Sequence, residues 1–129
     1  MAQDVPFSGV CMANAPQLFA LVKDEVPGYN GAAIGNLDGT GFEADQCDLA
    51  SVGADLAAMA RSWHQTWKDL GGAVDFGSND DLLISASKGY LLIKVSHDRQ
   101  RFIAVALHAN GNIGYLRFRM REYLRRANA

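Results

Sequence analysis

Two neighbouring segments, 81–87 and 90–95, alternate between apolar and polar residues with a period of two. If Lys88-Gly89 forms a two-residue turn between them, Ala86 lies opposite Leu91 and the segments become the strands of a hairpin. This register places six apolar side chains on one face: Leu82, Ile84, Ala86, Leu91, Ile93 and Val95. A slip of one residue would mix the apolar and polar sets. The pattern therefore predicts a β-hairpin, with Gly89 providing the positive φ of the turn.

Three other segments follow the helical period. The first helix is predicted from the capping residue Asn14 to Val26, the second from Asp48 to the stop at Gly71-Gly72, and the last over 113–127. The long second helix has a bulky stripe that we expect to face the core: Leu49, Val52, Leu56, Met59, Ala60, Trp63, Trp67 and Leu70. Its second stripe consists of small residues, namely Ala50, Gly53, Ala54 and Ala57, which would let a partner helix approach closely.

The remaining periodic segments predict strands at 29–36, 40–44 and 101–107, with Asp38-Gly39 as a hairpin turn. Segment 101–107 is apolar on both faces, as in a central strand covered from both sides, and the small residues of 29–36 indicate that something packs closely over that strand. The predicted order is α-β-β-α-β-β-β-α. It favours an α+β fold, a three-layer α/β/α sandwich around a five-stranded antiparallel sheet. We expect residues 1–13 to form a loose leader and residues 14–129 a single domain.

Composition places the chain among ordinary globular proteins, with 49% hydrophobic and 20% charged residues. It has no apolar run of membrane-spanning length, and Asp4 and Pro6 lie where a secretory signal would be basic and then apolar. Cys11 and Cys47 are far apart and lack the spacing of a zinc or redox motif, so we expect free thiols. These features predict a cytoplasmic protein with no membrane partner.

Charge is unevenly distributed. Residues 113–129 contain five arginines and one glutamate, a net charge of +4, which leaves −6 for the rest of a chain whose net charge is −2. Either an anionic partner or a solvated helix face would account for this asymmetry. The pattern disfavours nucleic-acid binding, because the arginines do not share one helix face and few aromatic residues lie among them.

Candidate chemistry is weak throughout. Asp24-Glu25 and Asp80-Asp81 are sequence neighbours typical of surface positions, and the three histidines, His64, His97 and His108, are scattered. The glycine-rich segment 35–41 lacks the Lys-Ser/Thr of a phosphate-binding loop and precedes a strand, so a hairpin turn explains it better. We therefore predict no enzyme activity, no cofactor and no metal site.

Four short motifs, in this order and spacing, resemble the roadblock / dynein light chain family, including its bacterial members that act on Ras-like GTPases. They are Val26-Pro27-Gly28, the segment from Gly31 to Gly39, the hairpin 88–92 and the segment 112–117. The resemblance spans about 15–127. It implies a profilin-like roadblock fold and a homodimeric adaptor, without catalytic chemistry of its own, that binds and modulates a small Ras-like GTPase.

The resemblance also implies where two copies meet, because family members pair through the long second helix and the edge strand that follows it. On this chain these elements are 50–70 and 81–87. The implied interface residues are Ala50, Gly53, Ala54, Ala57, Arg61, Trp63, Trp67, Leu83, Ser85 and Ser87. From the residues alone, the two tryptophans fit either core packing or an interface. A second hypothesis is a small-molecule sensor domain, with its pocket over the small residues of 29–36.

Overall fold

The computed structural model describes residues 15–45, 49–71, 81–95 and 100–127. The observed order of helices and strands confirms the predicted order and the three-layer α+β architecture. The first half contains α1 (Ala15–Glu25), β1 (Tyr29–Asn36), β2 (Glu43–Asp45), a 3-10 turn (Leu49–Val52) and α2 (Gly53–Gly71). The second half contains β3 (Leu82–Ala86), β4 (Gly89–Val95), β5 (Arg101–His108) and α3 (Ile113–Ala127).

All neighbouring strands of the five-stranded sheet are antiparallel, in the spatial order β2-β1-β5-β4-β3. Strand β5 is central and mostly buried, which confirms the prediction from its two apolar faces. Strands β2 and β3 form the two edges. The prediction of an edge strand at 81–87 is therefore confirmed as well.

The sheet separates two hydrophobic clusters. On one face α1 and α3 cover large side chains, and the buried members of this cluster include Phe19, Val22, Leu92, Ile103, Val105, Leu107, Leu116 and Met120. On the other face α2 lies over smaller residues, and the buried cluster consists of Ala33, Leu56, Ala57, Ala60, Ile93, Phe102 and Ala104. Among the described helices, α2 alone covers this second face, and its main contacts with the sheet are to β1, β4 and β5.

The predicted register of the β3–β4 hairpin is wrong by two residues. Ala86 pairs with Gly89 and Leu82 with Ile93, so the turn residues are Ser87 and Lys88. Gly89 lies in the strand and lacks the positive φ we expected. A Cβ atom on Gly89 would overlap the backbone carbonyl of Leu107, so close packing against β5 requires glycine there. A two-residue shift preserves strand parity, and for that reason the predicted face of each side chain is correct.

The second strand is shorter than predicted and begins at Glu43 instead of position 40. Thr40 belongs to the turn, where its amide and hydroxyl donate to Asp38 Oδ1 over 3.0 and 2.6 Å. Gly39 and Gly41 have φ angles of 94° and 69°, which glycine adopts without strain. The turn is therefore longer than a two-residue Asp-Gly hairpin. The predicted caps Asn14 and Asp48, the leader, and both cysteines lie outside the described residues.

Candidate interaction surface

Helix α2 is rotated relative to our expectation. Its buried residues are Gly53, Leu56, Ala57 and Ala60, whereas Val52 and Met59 are 40% and 38% exposed. The prediction that Val52 and Met59 face the core is wrong. The physical reason is that the small residues let the helix axis lie close to the sheet, over Ala33, Phe102 and Ala104.

The small residues at the start of α2 make room for an aromatic ring of the same chain. A Cβ atom on Gly53 would come within 2.5 Å of the Phe42 ring, and one on Gly35 would overlap the same ring. Phe42 in turn packs at a tilt against Phe102, with ring centroids 6.2 Å apart. This ring therefore explains why positions 35 and 53 are glycine. It also fills the space that the sensor hypothesis needed over Gly35.

The two flanks of α2 point toward opposite edges of the sheet. On one flank, an Arg61 guanidinium nitrogen donates to the Leu37 carbonyl, in the β1–β2 connection. Val52, Met59 and Trp63 occupy the opposite flank, because helical geometry places them roughly 140–180° around the axis from Arg61. The bulky flank therefore faces the β4–β3 side of the sheet.

Two tryptophans extend the bulky flank toward the end of α2. Trp63 and Trp67 are half-buried, and their rings contact each other with centroids 5.5 Å apart and planes inclined by 54°. With Met59, and with Val52 at the end of the preceding 3-10 turn, they form a stripe of large apolar side chains about four helical turns long. We call these four residues the α2 stripe.

The neighbouring part of the sheet is also incompletely covered. Leu82, Ile84 and Leu91 point toward the α2 side and are only half-buried. At the β3 edge the residues flanking a two-residue turn, Ala86 and Gly89, form a hydrogen-bonded pair, and such pairs alternate along the strand. The amides of Leu83 and Ser85 therefore point away from β4, to the open edge.

Strand β3 is anchored at its start by an ion pair. The Arg117 guanidinium of α3 donates two hydrogen bonds to the Asp81 carboxylate, over 2.8 and 3.1 Å. The Asp81 side chain is only 4% exposed, so the bidentate pair satisfies a carboxylate that water hardly reaches. This contact fixes the edge strand to the opposite layer.

The structure divides the implied interface residues into separate groups. Trp63 and Trp67 lie on the same side as the β3 edge with Leu83 and Ser85, and Ser87 follows in the hairpin turn. The Leu83 side chain packs against the cluster under α1 and α3. At the β3 edge, Leu83 can therefore contact a partner through its backbone.

The other implied residues lie elsewhere. Gly53 and Ala57 are buried within their own chain, Ala54 is exposed near the Arg61 flank, and Ala50 belongs to the 3-10 turn. Sequence reasoning missed Val52, Met59, Leu82, Ile84 and Leu91 as surface residues. The width of the sheet compared with that of one helix could have revealed them. A helix about 10 Å across covers two or three strands at roughly 4.8 Å spacing, so one helix leaves part of a five-stranded sheet uncovered.

Among the described residues, no group of three or more His, Cys, Asp or Glu side chains is arranged to hold a metal ion. None of the described helices is long and apolar enough to span a membrane. What this part of the chain offers is a contact surface composed of the α2 stripe, the half-buried residues of the hairpin and the β3 edge.

Comparison with solved structures defines the fold as that of Roadblock/LC7 domains. The Roadblock/LC7 domain from Streptomyces avermitilis has a TM-score of 0.67 at 17% identity, over 84% of this chain and 90% of that one. The gliding protein MglB from Thermus thermophilus has a TM-score of 0.70 at 12% identity, over 88% and 84%. MglC from Myxococcus xanthus has a TM-score of 0.59 at 20% identity, over 87% of this chain and 94% of that one. No family model and no curated protein matches the sequence.

Proposed function

We propose that this protein is a homodimeric roadblock-type adaptor, without catalytic chemistry of its own, that binds and modulates a small Ras-like GTPase in the cytoplasm. The observation that carries the proposal is the incompletely covered α2 face beside an open strand edge, in a fold shared with MglB and MglC. The GTPase belongs to the proposal through the resemblance of the four sequence motifs to the bacterial members of the family.

The dimer part rests on two adjacent features that a second copy would cover together. The α2 stripe presents large apolar side chains, and Val52 and Met59 gain most from being covered because they are the most exposed. Beside it, the outward amides of Leu83 and Ser85 can pair with an antiparallel copy of the same strand. A two-fold axis next to the β3 edge would satisfy both features at once, since the same surface of each copy meets itself.

Substitution of Met59 tests the apolar half of this interface. Light scattering at micromolar concentration should give twice the 13.9 kDa chain mass for the wild type and a shift toward 13.9 kDa for Met59→Asp. The matched control is Ala58→Asp, which adds the same charge at an exposed neighbouring position and should remain dimeric. A wild-type protein of 13.9 kDa alone would refute the dimer.

Substitution of Ser85 tests the strand half. Ser85→Pro removes an outward amide while leaving the ladder to β4 intact, and it should weaken a strand-paired dimer. Ser85→Ala retains the amide and serves as the control. If Ser85→Pro stays dimeric while Met59→Asp dissociates, the helices alone hold the two copies together.

The GTPase part is tested with a purified bacterial P-loop GTPase of Ras size. We expect binding by titration calorimetry to one nucleotide state in preference to the other, and a changed rate of GTP hydrolysis. Met59→Asp, if monomeric and folded by circular dichroism, then shows whether binding requires the dimer. Binding without any change in hydrolysis would indicate a scaffold, and no binding in either nucleotide state would remove the GTPase from the proposal.

A further inference from the structure

The exposed aromatic residues of α3 are a feature that the proposed dimer does not use. Phe118 and Tyr115 are 54% and 37% exposed, and with Val52 and Met59 they are the large apolar residues most exposed among those described. Leu116 and Met120 of the same helix are fully buried, so Phe118 lies on the side of α3 facing away from the core. This side belongs to the layer opposite α2.

The two rings stack to form one projection from α3. They stack with centroids 6.4 Å apart and planes inclined by 25°. Helix α3 is held in place on both sides of Phe118, by Arg117 to Asp81 and by Arg119 to Glu25, each over 2.8 Å. A paired aromatic group on a fixed helix loses little conformational freedom on binding, which is a property of interface anchors.

A complementary depression lies on the same chain, between α1 and the β2 edge. It is an open groove of about 280 Å³ lined by Phe19, Ala20, Lys23, Glu43, Ala44 and Asp45. A cavity of roughly 150 Å³ can hold a benzene ring, so the groove has room for a phenylalanine side chain. Its lining is apolar at Phe19, Ala20 and Ala44, whereas the charged residues are two carboxylates and one ammonium group.

The uneven charge of the chain indicates what would bind in this groove. Residues 113–129 carry +4 and the rest of the chain −6. Arg117 and Arg119 are paired with Asp81 and Glu25, and the sequence of segment 120–127 adds three arginines and Glu122. Contact between two α3 helices would bring like charges together, whereas contact between α3 and the acidic groove brings opposite charges together.

We propose that a second copy of this chain inserts the Phe118–Tyr115 pair of its α3 into the groove between α1 and β2, so that copies assemble head to tail. The contact is heterologous: each copy has one aromatic pair and one groove, so further copies can add until a ring closes or a filament grows. Both partner surfaces lie away from the α2 stripe and the β3 edge. The contact does not depend on the proposed dimer.

Sedimentation velocity of the full chain over a range of concentrations is the primary test. The wild type should form species larger than a dimer as concentration rises, and added salt should reduce them. Phe118→Ser and Glu43→Lys should each weaken this association tenfold or more. Asp69→Lys, the same charge reversal on an exposed residue of α2, is the control and should behave like the wild type.

Mixing the two weakened variants provides the decisive measurement. Phe118→Ser retains the groove and Glu43→Lys retains the aromatic pair, so a mixture should regain the junction that neither variant forms alone. Carrying out the same measurements in the Met59→Asp background separates this contact from the proposed dimer.

Three results would overturn the proposal. The first is a wild type with no species beyond the dimer at any concentration. The second is unchanged assembly of both variants. The third is a mixture that fails to recover, which would indicate that α3 binds a different surface, such as another protein.

Discussion

The two faces of the sheet differ in how completely they are covered. Helices α1 and α3 together close one face over large side chains, and Val22, Leu92 and Leu116 are fully buried there. On the other face α2 lies close to the sheet because Gly53, Ala57 and Ala60 are small, and it leaves Leu82 and Leu91 half-buried at its side. One face is therefore complete in the single chain, and the other still has apolar surface available for a partner.

The largest expected difference in stability is between alanine variants of one leucine from each face. Leu116→Ala on the closed face should lower the free energy of unfolding by about 2–5 kcal/mol, because the cavity cannot fill. Leu91→Ala should cost about 1 kcal/mol or less in the monomer, since water already reaches that side chain. Urea denaturation of both variants in the Met59→Asp background measures the difference.

Equal losses for the two leucine variants would contradict the comparison and show that the α2 face is already closed. Measuring Leu91→Ala again with Met59 retained tests whether a second copy covers Leu91. If a second copy covers Leu91, the cost should rise with protein concentration, because stability is then linked to dimer formation.

An intermediate effect tests why α2 lies so close to the sheet. Gly53→Ala places a Cβ atom against the Phe42 ring and should destabilise the protein by about 1–2 kcal/mol net, the overpacking cost exceeding the gain of up to about 1 kcal/mol in helix propensity. Thermal unfolding measures the change.

The double variant Phe42→Ala with Gly53→Ala isolates the contact. In that background the added methyl group has no ring to displace, so Gly53→Ala should become neutral or stabilising. A Gly53→Ala penalty that persists without the ring would mean that something other than Phe42 requires glycine there.

The smallest effect compares two ion pairs of the closed face. Arg117→Ala leaves the nearly buried Asp81 carboxylate without its guanidinium and should cost about 1 kcal/mol, the low end of the range for an unsatisfied buried group, because Arg117 is itself partly exposed. Arg119→Ala should cost less than about 1 kcal/mol, because Glu25 is 34% exposed and water can replace the arginine. Urea denaturation at low and high salt measures both losses, and a larger loss for Arg119→Ala would contradict this ranking.

Much of the fold was predictable because local patterns encode it directly. The period-two alternation and the helical stripes predicted all eight elements in order, and the bounds of β1 and α3 agree with their segments to within a residue. The two apolar faces of 101–107 predicted the central position of β5. The predicted hairpin register was off by two residues because it placed Gly89 in the turn. Gly89 lies in β4 against the Leu107 carbonyl of β5, and that contact is not visible in the hairpin sequence.

The interaction surface was less predictable. A hydrophobic stripe on a helix does not show which of its residues are buried within the same chain and which remain exposed. The sequence alone determined the elements, their order, the faces of the strands and the resemblance to roadblock proteins, since these depend on neighbouring residues. Only the tertiary structure decided that Phe42 occupies the space over Gly53, that Gly53 and Ala57 face inward and that Val52 and Met59 face out. The physical reason is close packing: the rotation of α2 follows from the shape of the ring and sheet beneath it, and that shape forms only when distant segments meet.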